Sequence, residues 1–114
     1  ILKIYTILAE TLPFAEAWEI DEKKIPDALR DGHAGSNLLK HLFPRMINRD
    51  FNPKGYTSQI LKDLTMVSEL GDKKNIPLPM SNLTKQLFTI LSEKSNENLD
   101  GTSIIKLFNK DDKF

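Results

Sequence analysis

Ser36-Asn37-Leu38-Leu39-Lys40-His41-Leu42-Phe43-Pro44-Arg45-Met46-Ile47 is the stretch whose reading decides the fold. Leu38, Leu39, Leu42, Phe43, Met46 and Ile47 recur every three or four residues, the period that gathers side chains on one face of an α-helix. Ser36 stands just before that stripe, where its hydroxyl can accept from an unpaired N–H of the first turn, so a helix is predicted to start there. Pro44 lacks an N–H and crowds the carbonyl four residues back, which predicts a bend.

The same period extends in both directions. Toward the N-terminus it runs through Ile1, Ile4, Tyr5, Leu8 and Leu12 and on to Ala15 and Trp18, with Pro13 expected to kink or interrupt the helix. Asp21 is the predicted N-cap of a weaker helix reaching Arg30, which Gly32-His33-Ala34-Gly35 ends. Toward the C-terminus, Asn48 to Tyr56 mixes Asn, Asp, Pro and Gly and reads as a loop. Thr57 is expected to cap a helix with the face Ile60, Leu61, Leu64 and Val67, ending near Gly71. Pro77 and Pro79 imply an extended entry into a helix capped by Ser81 and carrying Leu83, Leu87, Phe88 and Leu91. Asp100 opens a last short helix with Ile104, Ile105, Leu107 and Phe108. No segment alternates with period 2, and no hairpin dipeptide separates two strand-like runs. The predicted class is all-α, a bundle of about five to six helices forming one domain over residues 1–108, with 109–114 a frayed tail.

Sixteen basic and sixteen acidic residues cancel, so overall charge points to neither nucleic acid nor an anionic membrane. Between Asn37 and Lys62, however, five cations (Lys40, Arg45, Arg49, Lys54, Lys62) face one acid, Asp50. An anionic ligand would favour that window. There is no cysteine, which excludes disulfides and thiol chemistry and suits a reducing compartment. Lys3, Glu10, Glu16 and Glu19 interrupt the longest apolar stretch, and no basic leader precedes it, so a soluble, cytoplasmic chain is expected. It starts without Met and already in helical register, as a piece of a longer polypeptide would.

The five glycines form neither G-x-G-x-x-G nor a P-loop, so no phosphate-cradling turn is encoded. His33 and His41 lack acids at ligand spacing, and no metal site is expected. Lys62 and Asp63 remain, inside Ile60-Leu61-Lys62-Asp63-Leu64. At 100° per residue Lys62 lies almost opposite the apolar face, and no acid stands four residues to either side to pair with it. Pattern alone leaves two readings open, a solvated lysine or the edge of a ligand cleft. Phe51, beside Pro53, similarly either packs under its loop or forms a ligand wall.

Gly32-His33-Ala34-Gly35-Ser36, Pro44-Arg45-Met46, Asp50-Phe51-Asn52-Pro53, Leu61-Lys62-Asp63-Leu64, Ile76-Pro77-Leu78-Pro79 and Asp100-Gly101-Thr102-Ser103-Ile104-Ile105-Lys106-Leu107-Phe108, in that order, resemble the helical C-terminal domain of the β-hydroxyacid dehydrogenases, a domain similar to that of 6-phosphogluconate-dehydrogenase-like proteins. The resemblance implies an NAD- or NADP-dependent parent acting on a small hydroxyacid, with an N-terminal Rossmann domain of roughly 160 to 180 residues, with its connecting helix, upstream. It places the general acid/base lysine upstream of Ile1, so no catalytic residue is assigned within this chain. By the same resemblance Lys62, Phe51 and Asp63 are the cofactor-binding residues: Lys62 faces the cleft and meets charge, Phe51 walls it, and Asp63 orients the lysine or the neighbouring backbone. The isolated chain is expected to bind no cofactor and turn over no substrate, and the parent to be a homo-oligomer. The chain departs from the family at Lys54 and Gly55, where a glycine and an aromatic or small residue are usual. It departs again at Glu19, in place of a turn glycine. The altered loop motivates an alternative, a non-catalytic helical interaction or dimerisation module.

Overall fold

Ser36 does cap the central helix: its Oγ accepts from the Leu39 N–H at 2.9 Å, and helix α3 runs Asn37–Ile47. Around it the computed structural model, which describes residues 1–114, places helices α1 (Leu2–Ala17), α2 (Ile25–Leu29), α4 (Thr57–Lys73) and α5 (Pro79–Lys94), with short 3-10 helices at Glu22–Lys24 and Gly101–Leu107. No strand forms, and the all-α expectation holds. Leu39, Leu42, Phe43 and Met46 are buried as their spacing requires, and meet Leu8, Ala9 and Leu12 of α1, Ile60 and Leu64 of α4, Phe88 and Leu91 of α5, and Ile104 and Ile105. Phe43 and Phe88 are fully buried; truncating either to alanine removes about 3–5 kcal/mol from a packed core.

Several boundaries differ from the pattern. Pro13 does not interrupt its helix, and Pro44 too lies inside a continuous one. Each leaves a single carbonyl without its helical donor, a loss that the packing on either side offsets. Tyr56, not Thr57, holds the N-cap position of α4, because the Thr57 hydroxyl is drawn across to Asn98 Oδ1 at 3.0 Å. Helix α5 begins two residues before Ser81, with Leu78 at the N-cap, since Pro79 at the first helical position needs no N–H partner. The weak second helix splits, Asp21 capping only the 3-10 turn before Pro26 restarts the chain as α2. Val67, Leu83, Ile1 and Trp18, assigned to apolar faces by periodicity, are exposed. On α4 and α5, Met66, Leu70 and Met80 are exposed as well.

Helices α1, α3 and α4 end alike. Glu19, Arg49 and Asn75 take φ of 56°, 52° and 55°, and the next N–H reaches back five residues: Ile20 to Ala15 O at 2.9 Å, Asp50 to Arg45 O at 2.8 Å, Ile76 to Gly71 O at 2.9 Å. These are Schellman closures made without glycine. Gly71 therefore does not stop α4; it sits inside the helix where Leu78 packs so closely that a Cβ would lie 2.6 Å from Leu78 Cδ1.

Candidate functional site in the Asp50 to Lys62 segment

The loop from Asp50 to Tyr56 has no regular structure, and one distant carboxylate shapes it. Asp100 is 1% exposed. Its Oδ1 accepts from the N–H groups of Lys54 at 2.7 Å and Gly55 at 3.0 Å, and its Oδ2 from the Thr102 N–H at 2.9 Å. Arg45 Nη1 lies 3.2 Å from Asp100 Oδ2. The same guanidinium donates from Nε to Asp50 Oδ2 at 3.0 Å and from Nη2 to the Asn52 carbonyl at 2.6 Å. Backbone bonds complete the attachment: Asp100 N–H to Phe51 O at 3.0 Å, Gly101 N–H to Gly55 O at 2.9 Å and Thr57 N–H to Leu99 O at 2.9 Å. The Ser58 N–H donates to Asn98 Oδ1 at 3.2 Å. The entry to α4 is thus lashed to the strip 98–102, with no room for a side chain at Gly101, where a Cβ would lie 2.7 Å from Tyr5 Cε1.

Burial would raise the Asp100 carboxyl, but the N–H groups of Thr102, Lys54 and Gly55 outweigh it and hold the group below its ordinary value. Asp50 is lowered by its hydrogen bond from Arg45, with the Asn52 N–H second. Burial lowers Arg45, but the hydrogen bond to Asp50 and the charge of Asp100 prevail and leave it raised. Tyr5, whose ring meets Phe88 edge-on at 6.4 Å, is raised by burial and then by Asp100, with Arg45 opposing. The charges here are fixed in their usual states.

The local cationic excess is smaller than the sequence suggests, because Arg45 is neutralised by Asp50 and Asp100, and Arg49 by Asp112 at 3.0 Å. Lys40, Lys54 and Lys62 make no ion pair. Lys62 and Asp63 both stand in solvent on α4 and form no ion pair with each other. Phe51 is half-buried against the core, with the Lys106 ammonium 5.1 Å from its ring centre. No contact joins it to Lys62. Two of the surface clefts bear on this region. One, of about 460 Å³, borders the Asp100 cluster and is lined by Tyr5, Lys40, His41, Arg45, Asp50 and Lys54, among others. A second, of about 550 Å³, lies between α4 and α5 beside Ser68, Asp72, Asn82 and Lys85. Neither includes Phe51, Lys62 or Asp63.

Sequence reasoning missed the Arg45–Asp100 pair. Asp100 announces itself only as a cap, which it is, and Arg45 only as one cation in a basic window. Their partnership spans a separation that no short-range spacing encodes.

With this geometry in place, comparison with known proteins is decisive. The family model for the NAD-binding region of NADP-dependent 3-hydroxyisobutyrate dehydrogenase matches residues 3–108. The chain belongs to this family. It is 30% identical over 103 residues to the probable 3-hydroxyisobutyrate dehydrogenase-like 2, mitochondrial, of Arabidopsis thaliana, covering 90% of this chain and 33% of that protein. It is also 30% identical over 87 residues to the L-threonate dehydrogenase of Cupriavidus necator, covering 73% of this chain and 29% of that protein. The crystal structure of 3-hydroxyisobutyrate dehydrogenase from Salmonella typhimurium shares the fold, with a TM-score of 0.86 at 20% identity over 94% of this chain and 38% of that one. The chain spans about a third of the length of the curated relatives it matches. The resemblance to the β-hydroxyacid dehydrogenases is therefore membership. The family is one of oxidoreductases using a nicotinamide cofactor, and no helix of this member is long and apolar enough to cross a membrane.

Proposed function

We propose that this chain is the helical C-terminal domain of an NAD(P)-dependent oxidoreductase acting on a small β-hydroxyacid of the 3-hydroxyisobutyrate kind. In this reading it closes one wall of a cleft whose other wall is an N-terminal Rossmann domain. The observation that carries the proposal is the state of Lys62: an exposed ammonium without an ion pair, on a helix whose entry is rigidly tied. One turn on, the same face of α4 exposes Met66. A charge set beside uncovered apolar surface suits a wall awaiting its counterpart better than a solvated helix face.

The residues present fit a nicotinamide cofactor in part. Lys62 offers three donors to a phosphate or carboxylate oxygen. Asp63 is exposed beside it, and Phe51 supports the loop while Lys106 occupies one face of its ring. When bound, the cofactor supplies or accepts the hydride; this chain's part is to hold charge and exclude water. The general acid/base lysine lies in the other domain, so the isolated chain has no turnover and no micromolar affinity for NADH. The protein functions as a homo-oligomer.

Replacing Lys62 by alanine in the full-length protein tests the reading. Loss of a charge-assisted contact worth about 1.5–3 kcal/mol predicts a KM or Kd for the cofactor, or a KM for the hydroxyacid, raised about ten- to a hundredfold. Unchanged constants for both ligands would remove Lys62 from the cleft. Micromolar NADH binding by the isolated chain in calorimetry would contradict the division of labour. Absence of turnover on every small hydroxyacid tried would favour the non-catalytic interaction module, which the unusual Lys54-Gly55 pair motivates.

A further inference from the structure

Asp100 is more heavily engaged than helix capping requires. A cap needs one acceptor for one or two N–H groups at the start of its own helix, and Asp100 meets that need through Thr102 alone. Its other oxygen is spent outside its own helix, on Lys54 and Gly55, more than forty residues earlier in the chain. The charge of the group is balanced by Arg45 from a third element, α3. Arg45 in turn holds both ends of Asp50-Phe51-Asn52 through the Asp50 carboxylate and the Asn52 carbonyl, and Thr102 Oγ donates to the Asp50 carbonyl at 3.0 Å. Most polar ties that hold this loop to the rest of the chain therefore pass through Asp100, its neighbours in the strip 99–102, or Arg45.

What this arrangement presents outward is a pair of cations. Lys54 has its N–H fixed by the carboxylate while its ammonium is exposed and unpaired at the rim of the 460 Å³ cleft. Lys62 stands on the second turn of the helix that the loop leads into. We infer that Asp100 is a positioning residue, which, through the Lys54–Gly55 turn and with Arg45, sets where Lys54 and the first turns of α4 stand, and so where Lys62 meets the anionic part of a bound nicotinamide dinucleotide. The inference rests on the cleft-wall reading of Lys62. A buried carboxylate shared by three N–H groups and a guanidinium suits that task, because such a network has one low-energy geometry and leaves a group unsatisfied in any other.

The test is a double-mutant cycle in the full-length protein, read as the Kd for NADPH and NADH by fluorescence titration. Asp100→Asn keeps an acceptor oxygen but removes the charge that Arg45 needs. It is expected to weaken binding about five- to tenfold, and to add less than twofold when Lys62 is already alanine, because both changes then disable the same contact. Arg45→Lys, at the partly exposed edge of the network, provides the second arm should Asp100→Asn fail to fold. It should weaken binding at least threefold, with the same non-additivity. Three results overturn the inference: wild-type affinity in the Asp100 variant, wild-type affinity in the Arg45 variant, or losses that simply add to that of Lys62→Ala, as general destabilisation would produce. If Lys62→Ala itself leaves affinity unchanged, the cleft-wall reading fails and this inference with it. Wild-type affinity confined to the Asp100 and Arg45 variants overturns the positioning role alone.

Discussion

Asp100 also sets how the molecule responds to acid. Its pKa in the folded chain lies below the ordinary value of 3.8, so the stability it confers is present above that value and is lost as pH falls through the folded pKa. Urea midpoints should be level from about pH 6 to 5 and drop below about pH 4, and Asp100→Asn should make that drop shallower, as denaturation followed by circular dichroism would record. Thr6 is a second residue with a calculable effect. Its hydroxyl is buried in α1 with no hydrogen-bond partner, and such a group is destabilising by about 1–3 kcal/mol relative to an apolar isostere. Thr6→Val should therefore raise stability, by about 1 kcal/mol, in the same denaturation experiment. Neither effect is visible in the sequence: Thr6 lies on a helix where threonine is unremarkable, and the partners of Asp100 come from α3 and from the loop before α4.

The helix ends carry the clearest departure from what local preference favours. Glycine is the residue that takes positive φ without strain, yet Glu19, Arg49 and Asn75 hold those positions. Asparagine tolerates the left-handed region well. Arg49 is compensated, because its Nη1 donates to the Met46 carbonyl at 2.8 Å at the end of its own helix, and its Nε pairs with Asp112. Glu19 has no such contact. Its substitution by glycine relieves a left-handed non-glycine residue, for which about 1 kcal/mol is typical, and should raise the thermal midpoint by several degrees in a chain of this size. The resemblance to the family marked Glu19 as standing at a turn glycine's place, and its φ of 56° gives the physical meaning of that departure. By contrast Gly71, the residue that looked like a helix stop, is there for the close approach of Leu78. Gly, as a symbol in a sequence, does not distinguish a positive φ from a missing Cβ.

Across the whole molecule, apolar surface is distributed unevenly. Met66, Leu70, Met80 and Leu83, on α4 and α5, are exposed by 51%, 60%, 56% and 51%. In the homo-oligomer proposed above, a second copy would cover Leu70, Met80 and Leu83, while Met66 belongs to the cleft wall beside Lys62. Leu70→Glu combined with Leu83→Glu should lower the assembly state of the full-length protein in light scattering without loss of helical circular dichroism, since neither side chain belongs to the core. An unchanged mass would place the subunit contact elsewhere. This surface also explains why periodicity misplaced Val67 and Leu83. A hydrophobic stripe states which side of a helix avoids water, and does not state whether its cover comes from the same chain.

The sequence by itself determined the helices, the core face of α3, the caps at Ser36 and Asp100 and, through six short motifs in order, the family, because each of these depends on residues a few positions apart. Only the tertiary structure decided what Arg45 and Asp100 do, that Asp63 is not paired with Lys62, and that Phe51 carries a lysine on its ring. Those are meetings between elements tens of residues apart, and they depend on how α3, the loop before α4 and the strip before the last helix pack together. The same packing gives Lys62 its present meaning: a cation without a partner, on a helix whose entry a buried carboxylate holds in place.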